Sequence, residues 1–369
     1  MIYLDHNATT PIHPKVLEAM LPYLGAFYGN PSSLYRLGRL ARSAIDTARH
    51  QVAALVNVQP SQIIFTSGGT EANNLALQSA PALAKLAISA IEHPSVSAPA
   101  AYLKQQGYGL TWIDVDSNGL ITQSAINKAI LERPDFVSLM LANNETGAVQ
   151  DIARYAKQLT AIGSTVHTDA VQALGKIPVD FQQLGVHLMT LSSHKIYGPK
   201  GCGALVFMKG TPIPPLLLGG GQEQNLRAGT ENVAAIVGFG KAAELALTEL
   251  TQRHAQLLAL RNMLESQLAN LAGLTLFAQH SQRLPNTVQF GVVGMDGEML
   301  LMKLDQKGIA VSSGSACASG GSAPSPVLLA MGVDANLAKS AIRISLGIHN
   351  TEADILGFIA VLKTLVNPA

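Results

Sequence analysis

The sequence predicts an α/β fold with a parallel or mixed sheet, followed by a smaller α+β unit. The main observation is that short apolar strands alternate with helical stretches through the middle of the 369-residue chain. Strands that alternate with helices form a sheet that is covered by helices on both faces. A second observation is a long helical region at residues 231–272, after which a new set of elements begins. We therefore expect two units, with the boundary in that region.

The elements of the first unit follow in order. QIIFTSGGTEANNLALQSA predicts a strand, a glycine turn and a helix, and KLAISAI predicts the next strand. PSVSAPAAYLKQQG is typical of a helix that ends at a glycine. Further strands are predicted at LTWIDV, FVSLMLAN, TVHTDAV and HLMTLSSH. Polar clusters follow these apolar runs, and active sites of such sheets lie at the carboxyl ends of the strands.

The second unit begins near Leu274. Its predicted strands are LTLFA, NTVQFGV, IAVSSG and AIRISLG. Its predicted helices are DGEMLLMKLDQKG, SPVLLAMG and TEADILGFIAVLKTLV. This mixture of elements predicts a compact α+β unit.

Composition narrows the function classes. The chain is 48% hydrophobic and only 13% charged, so it must bury much of its surface or dimerise. Its 25 Lys and Arg residues balance 24 Asp and Glu residues, which gives no electrostatic case for nucleic acid or an anionic membrane. Two cysteines, Cys202 and Cys317, are too few for a disulfide framework or a cysteine-rich metal site. We expect no metal.

The amino-terminal stretch MIYLDHNATTP has no pattern of a secretory signal, and no apolar run is long enough to span a membrane. Together with the cysteine usage, this favours a reduced compartment, and we expect a cytoplasmic protein.

The segment SSHKIYGPKG places Lys195 at the end of an apolar strand, beside serine, histidine and tyrosine. A lysine that attacks a carbonyl needs a desolvated or charge-crowded setting of this kind, because its amine must be neutral. An ordinary loop lysine is the alternative.

Two other strand ends carry residues that suit a phosphorylated cofactor. In TSGGTEANN, two glycines precede a helix whose amino terminus favours an anion, although a tight turn with Thr70 as a helix cap explains the motif equally well. In HTDAVQ, Asp169 ends a strand and could hold a pyridinium nitrogen protonated, or could instead cap the next helix.

Further candidates are weaker singly. His93 follows a strand, where a structural histidine is the commoner case, and NNETG suits a turn as well as a site. Arg343 lies in an apolar strand and needs an anionic partner, either a substrate carboxylate or a structural Asp or Glu. Cys317 lies in a small-residue loop and is a candidate reactive thiol, whereas Cys202 belongs to an apolar strand and is predicted to be core.

These motifs, in this order, closely resemble those of the cysteine desulfurases of the NifS/IscS type, in the class-V aminotransferase group of enzymes that use pyridoxal 5′-phosphate. The matching segments cover nearly the whole chain. They are YLDHNATTPIHPKV, YGNPSS, FTSGGTEANN, EH, NNETG, HTDAVQ, SSHKIYGPKG, GGGQEQNLRAGTENV, SSGSAC and RISLG. SSGSAC resembles the NifS/IscS group and differs from the RTGHHC-like segment of the SufS group.

The resemblance implies the fold type I of the pyridoxal-phosphate-dependent transferases, with a mainly parallel seven-stranded sheet in the large domain. It implies a large cofactor-binding domain at residues 14–255. Residues 1–13 and 256–369 would form the small domain, which carries the Cys317 loop. It also implies a homodimer with the active sites near the subunit interface.

The resemblance assigns roles to matching positions. Lys195, Cys317 and His93 would be catalytic, as the Schiff-base lysine, the persulfide-forming nucleophile and the residue stacked on the cofactor ring. Asp169 would pair with the ring nitrogen and Gln172 with the phenolic oxygen. The implied cofactor-binding residues are Gly69, Thr70, His93, Asn144, Asp169, Gln172, Ser192, His194, Lys195 and Thr230, the last from the partner subunit. The implied substrate-binding residues are Asn7, Ala8, Thr9, Asn144 and Arg343.

The expected activity is conversion of L-cysteine to L-alanine, with the sulfur kept as a persulfide on Cys317. The persulfide sulfur would then be passed to sulfur acceptors in iron–sulfur cluster assembly or in tRNA thiolation. A selenocysteine lyase, or a C–S β-lyase acting on cysteine or cystine, is the alternative. An aminotransferase would have no use for Cys317, and a non-enzymatic member would have a broken lysine or cysteine position. A nicotinamide dehydrogenase is disfavoured because GxGxxG is missing.

Overall fold

The computed structural model describes residues 1–313 and 323–366. Its helices are α1 Pro14–Leu24, α2 Arg36–Leu55, α3 Gly69–Leu77, α4 Pro94–Gln105, α5 Gln123–Glu132, α6 Ile152–Thr160, α7 Phe181–Leu184, α8 Val233–Thr248, α9 Leu250–Leu268, α10 Gly297–Gln306, α11 Pro326–Ala330, α12 Ala335–Lys339 and α13 Glu352–Val366. Its strands are β1 Ile2–Tyr3, β2 Ile63–Thr66, β3 Lys85–Ser89, β4 Gly109–Ile113, β5 Phe136–Ser138, β6 Thr165–Asp169, β7 Leu188–Ser192, β8 Gly203–Phe207, β9 Leu274–Leu276, β10 Thr287–Val292, β11 Ile309–Ala310, β12 Ser312–Ser313 and β13 Ile342–Ser345.

Seven strands form one sheet in the order β2-β8-β7-β6-β5-β3-β4. Only β8 runs antiparallel to its neighbours, β2 and β7, and the other four pairings are parallel. The prediction of a mainly parallel seven-stranded sheet is therefore confirmed. Because β2, β3, β6 and β7 run in the same direction, their carboxyl ends meet at one edge of the sheet.

Both faces of this sheet are buried. Successive side chains of a strand point to opposite faces, so Ile63 and Phe65 join one apolar cluster while Ile64 joins another. The first cluster also takes in α2 and α8, through residues such as Ile45 and Phe239. Burial on both faces explains why the strands are continuous apolar runs without alternation.

Helices α2 and α8 pack closely along one face of this sheet. The buried residues Ala41, Ile45, Ala48 and Val52 recur every three or four positions of α2, which gives it one apolar face. Gly240 of α8 lies directly against this face, because an added Cβ would come within 2.5 Å of the Ala48 Cα. Helices α1 and α2 were not predicted from the sequence.

The second set of elements is built around the antiparallel sheet β12-β13-β10-β9. Its apolar cluster joins Leu4 near the amino terminus to residues of α9, α10 and α13, such as Leu264, Leu300 and Phe358. Strand β1 pairs with β11 and brings the amino-terminal segment to this cluster. The segment IAVSSG was predicted as one strand. In the structure it forms two strands, β11 and β12, which belong to different sheets.

The predicted domain limits, residues 14–255 and residues 1–13 with 256–369, remain a prediction. Helix α9 runs across the predicted boundary at residue 255, and Leu284 packs into the cluster of the large sheet. In the described part of the chain, no helix is long and apolar enough to cross a membrane.

Candidate active site

A cavity of about 310 Å³ lies at the edge of the large sheet where the parallel strands end. It is called the central cavity here. Twelve of the sequence-predicted site residues line it: Asn7, Ala8, Gly69, Thr70, His93, Asn144, Asp169, Gln172, Ser192, His194, Lys195 and Arg343. Residues more than 300 positions apart in the chain therefore meet at one site.

Three predicted residues are not among those that line the central cavity. Thr9 lies next to it, with its Oγ1 3.2 Å from the Nδ1 of His194. Thr230 is exposed at the surface of the chain. Cys317 lies outside the described residues. The other cysteine, Cys202, is 2% exposed in the core of the large unit, as predicted.

Lys195 is presented by a single turn of 3₁₀-helix, Ser193–Lys195, that follows β7 directly. Its Nζ donates to the main-chain oxygens of Asn7 and of Ala8, the latter at 2.8 Å. The amino-terminal segment is held there in turn, because Thr10 donates through its main-chain N–H and through Oγ1 (2.9 Å) to the carbonyl of His194. The strand end and the amino terminus thus fix the lysine together.

One wall of the central cavity has the features of an anion site. Helix α3 starts at Gly69, and its free amide groups and dipole favour negative charge at that end. Ser192 contributes a buried Oγ that has no hydrogen-bond partner among the described residues. Because α3 begins at Gly69, Thr70 lies inside its first turn, so the alternative of Thr70 as the helix cap is wrong.

Strand β8 passes very close to the Gly68 loop that precedes α3. An added Cβ on Gly203 would lie 2.6 Å from the carbonyl carbon of Gly68, so only glycine allows the strand to pass under the loop. His194 completes the wall, and burial, with the charges of Lys195 and Lys200, lowers its pKa to about 4. It is therefore neutral near pH 7 and can donate one hydrogen bond to an anion.

Asp169 faces the central cavity from the end of β6. Its Oδ1 accepts from the main-chain N–H of Val171 at 2.9 Å, and its Oδ2 accepts from Asn73 Nδ2 at 2.8 Å. A turn follows this strand, so Asp169 does not cap a helix. Asp169 is 5% exposed, and its carboxylate is held by two donors, which suits a group that must keep one orientation.

His93 caps α4, since its Nδ1 accepts from the main-chain N–H of Ser95 at 3.1 Å. The structural interpretation of this residue is therefore confirmed, and its role toward a cofactor stays a prediction, although the residue lines the central cavity. Burial lowers the pKa of His93, against the charge of Asp169, and Lys195 and Arg343 lower it further. The ring is therefore neutral near pH 7.

A bridge of two residues, which the sequence analysis missed, joins Asp169 to His93. Asn73 Nδ2 donates to Asp169 and also to Ser95 Oγ at 2.8 Å, and Ser95 Oγ lies 2.7 Å from His93 Nδ1. Asn73 lies inside TSGGTEANN and Ser95 inside PSVSAPAAYLKQQG, two segments that were quoted for other features. Their only signal was a polar side chain beside a predicted site residue.

Arg343, the predicted carboxylate clamp, lies in β13 and is 3% exposed. Its Nη2 pairs with Asp5 Oδ1 at 2.7 Å and its Nη1 donates to the carbonyl of Asn144 at 3.0 Å. Its Nε is buried without a partner among the described residues. The alternative of a structural acidic partner therefore holds, although Arg343 also lines the central cavity.

The NNETG motif forms a turn and also contributes to the site. Asn143 Oδ1 accepts from the main-chain N–H groups of Glu145 and Thr146, both at 2.9 Å. Glu145 is buried and accepts from Ser325 Oγ, and burial raises its pKa to about 7. Asn144 thereby faces the central cavity beside Arg343.

These residues fit pyridoxal 5′-phosphate. The anion-favouring wall includes the buried hydroxyl of Ser192, which has no partner in the described part of the chain, and Asp169 and Lys195 line the same cavity. Thr70, Ser192 and His194 would hold the phosphate, and Asp169 would hold the ring nitrogen. The cavity volume lies at the lower end of the usual range for small-molecule sites.

Comparison with known proteins agrees with this site. The model of the family described as Aminotransferase class-V matches residues 2–358. The chain belongs to this family, in its NifS/IscS-type cysteine desulfurase group. A cysteine desulfurase IscS from Dictyoglomus turgidum is 42% identical over 99% of this chain and 94% of its own length.

Solved structures agree as well. A structure titled NIFS-like protein has a TM-score of 0.92 at 37% identity and covers 99% of this chain and 98% of its own. A structure titled "SspA in complex with cysteine" has a TM-score of 0.83 at 30% identity, over 95% of this chain and 100% of its own. The fold prediction is confirmed by these neighbours.

Proposed function

We propose that this chain is a pyridoxal-phosphate-dependent cysteine desulfurase that produces L-alanine and leaves the sulfur as a persulfide on Cys317. The observation that carries the proposal is the convergence of Lys195, Asp169, His93 and Arg343 on the central cavity. Full-length similarity to a cysteine desulfurase and to a protein solved with cysteine supports the choice of substrate.

Each residue that lines the central cavity has a separate role in the proposed reaction. When bound, the cofactor supplies an electron sink that stabilises negative charge at the substrate α-carbon. Asp169 would face the ring nitrogen and favour its protonated form. The neutral imidazole of His93 would lie against the ring with its proton on Nε2, because its Nδ1 accepts from the main-chain N–H of Ser95. Arg343 and Asn144, which contact each other in the cavity lining, would orient the substrate carboxylate.

The overall reaction balances without an outside oxidant. The C–S bond of L-cysteine breaks, and its sulfur forms a new S–S bond with the sulfur of Cys317. The β-carbon that lost the sulfur takes up a proton, which gives L-alanine. A thiol reductant then releases the sulfur as sulfide and restores Cys317.

The decisive experiment measures L-alanine and sulfide from L-cysteine with dithiothreitol. Cys317→Ala should keep the cofactor absorbance near 400 nm and lose both products, whereas Cys202→Ala should stay active because that thiol is buried in the core. If Cys317→Ala releases sulfide as fast as the wild type, Cys317 is not the nucleophile, and pyruvate in place of L-alanine would identify a C–S β-lyase. A colourless wild type that makes no alanine would contradict the proposal as a whole.

We also propose a homodimer whose Thr230 reaches the site of the partner subunit. Large apolar side chains are exposed along α1 and the segment after it, including Leu21, Leu24, Tyr28 and Leu34. Such a patch marks an interaction surface on a protein of low charge. The mass by light scattering should be twice that of the chain, and a monomeric mass would contradict this.

We propose a sulfur-acceptor protein, in iron–sulfur cluster assembly or tRNA thiolation, as the destination of the persulfide, and the cytoplasm as its location. The name IscS of the similar Dictyoglomus protein supports the first acceptor class. Transfer of radioactive sulfur from the loaded enzyme to a purified scaffold protein tests it. Retention of all label on the enzyme would contradict it.

A further inference from the structure

Lys176 is a buried lysine that no role of the proposed function uses. It lies in the turn that follows β6, four residues after Gln172, and is 6% exposed. It does not line the central cavity but borders a smaller cavity, which shares Lys195 with the central cavity. A lysine amine is rarely buried without a specific partner, because burial of an unpaired charge or amine is costly.

The amine of Lys176 contacts two predicted site residues at once. Its Nζ donates to Gln172 Oε1 at 2.7 Å and to Asn7 Oδ1 at 2.8 Å. Both the ammonium and the neutral amine carry enough N–H groups for these two acceptors. Burial, followed by the charges of Lys195 and Arg343, lowers the pKa of Lys176 well below its usual range.

These two hydrogen bonds fix the direction of both amide side chains. An amide has a donor side and an acceptor side, and only its oxygen can accept from the amine. With Oε1 on Lys176, the Nε2 of Gln172 points the other way and donates to the carbonyl of Asn7 at 2.9 Å. The same carbonyl accepts from Lys195 Nζ, so the Gln172 donor lies next to the catalytic amine.

Asn7 is oriented in the same way. Its Oδ1 accepts from Lys176 and from Asn286, and its Nδ2 donates to Thr287 Oγ1 at 2.9 Å. The main-chain oxygen of this residue then faces Lys195. An apolar side chain in place of Lys176 would leave the oxygen of Gln172 buried without its donor, at the cost of an unsatisfied polar group.

We propose that Lys176 is a positioning residue of this site: it holds the amide nitrogen of Gln172 toward Lys195, where that donor meets the phenolic oxygen of the cofactor. The proposal rests on the proposed function, because it needs the cofactor in the central cavity. It predicts that Lys176 affects the cofactor only through the side chains it orients.

The test compares Lys176→Met with Lys128→Met, a matched change at an exposed lysine of α5. Cofactor affinity is measured by titration of the apoprotein with pyridoxal 5′-phosphate, and the visible absorbance band is recorded from pH 6 to pH 10. We expect Lys176→Met to weaken binding about tenfold and to shift the band or its pH dependence. Lys128→Met should match the wild type in both measurements.

A double mutant separates positioning from general stability. If Lys176 acts through Gln172, then Lys176→Met should have little further effect on affinity in a Gln172→Leu background. Full additivity of the two effects, or a lowered melting temperature with an unchanged band and affinity, would overturn the proposal.

Two further outcomes are distinguishable. A wild type that binds no cofactor refutes the proposed function, whereas a wild type and a Lys176→Met variant with equal spectra and affinity refute only this inference. Should Lys176→Met fail to fold, Lys176→Gln decides, because its shorter side chain cannot reach both acceptors. Wild-type affinity in that variant would contradict the proposal.

Discussion

Glu92 allows a quantitative test of the electrostatics beneath the site, because its carboxyl group is fully buried near Asp169. Its Oε1 accepts from Ser89 Oγ at 3.0 Å and from the main-chain N–H of Met140, while Oε2 has no partner among the described residues. Burial, followed by the negative charge of Asp169, raises the pKa of Glu92 from 4.5 to about 8. The folded protein therefore keeps Glu92 neutral near pH 7.

The pKa shift sets the sign and size of a pH effect on stability. Between pH 4.5 and pH 8 the folded protein holds a proton that the unfolded chain has lost, so the free energy of unfolding falls as the pH rises. From pH 5 to pH 8 this group alone accounts for about 3.5 kcal/mol, at about 1.4 kcal/mol per pKa unit. With about 2.1 cal/mol/K of unfolding entropy per residue, that is about 4–5 °C in Tm.

Glu92→Gln removes this titration and keeps the shape of the side chain. We expect the fall in Tm from pH 5 to pH 8 to be about 4–5 °C smaller in this variant than in the wild type. Glu298→Gln, at an exposed position of α10, should follow the wild type. Differential scanning calorimetry at the two pH values measures all three proteins. Equal falls in Tm for Glu92→Gln and the wild type would refute the reasoning.

Two predictions concern the walls of the central cavity. Asp169→Asn removes the carboxylate and places an amide opposite two donors, Asn73 Nδ2 and the N–H of Val171. We expect kcat with L-cysteine to fall roughly 10- to 100-fold. An unchanged kcat would contradict the role of Asp169. Arg343→Lys keeps the charge but cannot reproduce the two-nitrogen contact to Asp5 and Asn144, so KM for L-cysteine should rise about tenfold or more. Arg36→Lys, at an exposed arginine of α2, is its control, and an equal KM in both variants would contradict the carboxylate clamp.

Much of the fold was predictable because strands and helices follow local patterns. The strands β2, β3, β6 and β7 were each predicted from an apolar run, and their polar ends meet at one sheet edge as expected. Short or irregular elements escaped prediction. The two-residue strands β11 and β12 share one apolar segment, and only their different partners, β1 and β13, divide it.

The site was predictable where chemistry and position coincide, as for Lys195 at the end of β7. Asn73, Ser95 and Lys176 were missed because their contacts to the predicted site residues form only in the folded chain. An asparagine in a helix and a lysine in a turn carry no local sign of the groups that they will bind.

The sequence therefore determines which chemical groups the site contains. Short-range preferences define where the strands end, and the residues at those ends are a lysine, a carboxylate and a glycine turn. The pairing of these groups was decided by tertiary structure. Arg343 meets Asp5 across 338 residues, and Lys176 reaches Asn7 across 169. Hydrogen bonds and ion pairs act over a few ångströms of space, so only folding determines which donors and acceptors come within reach.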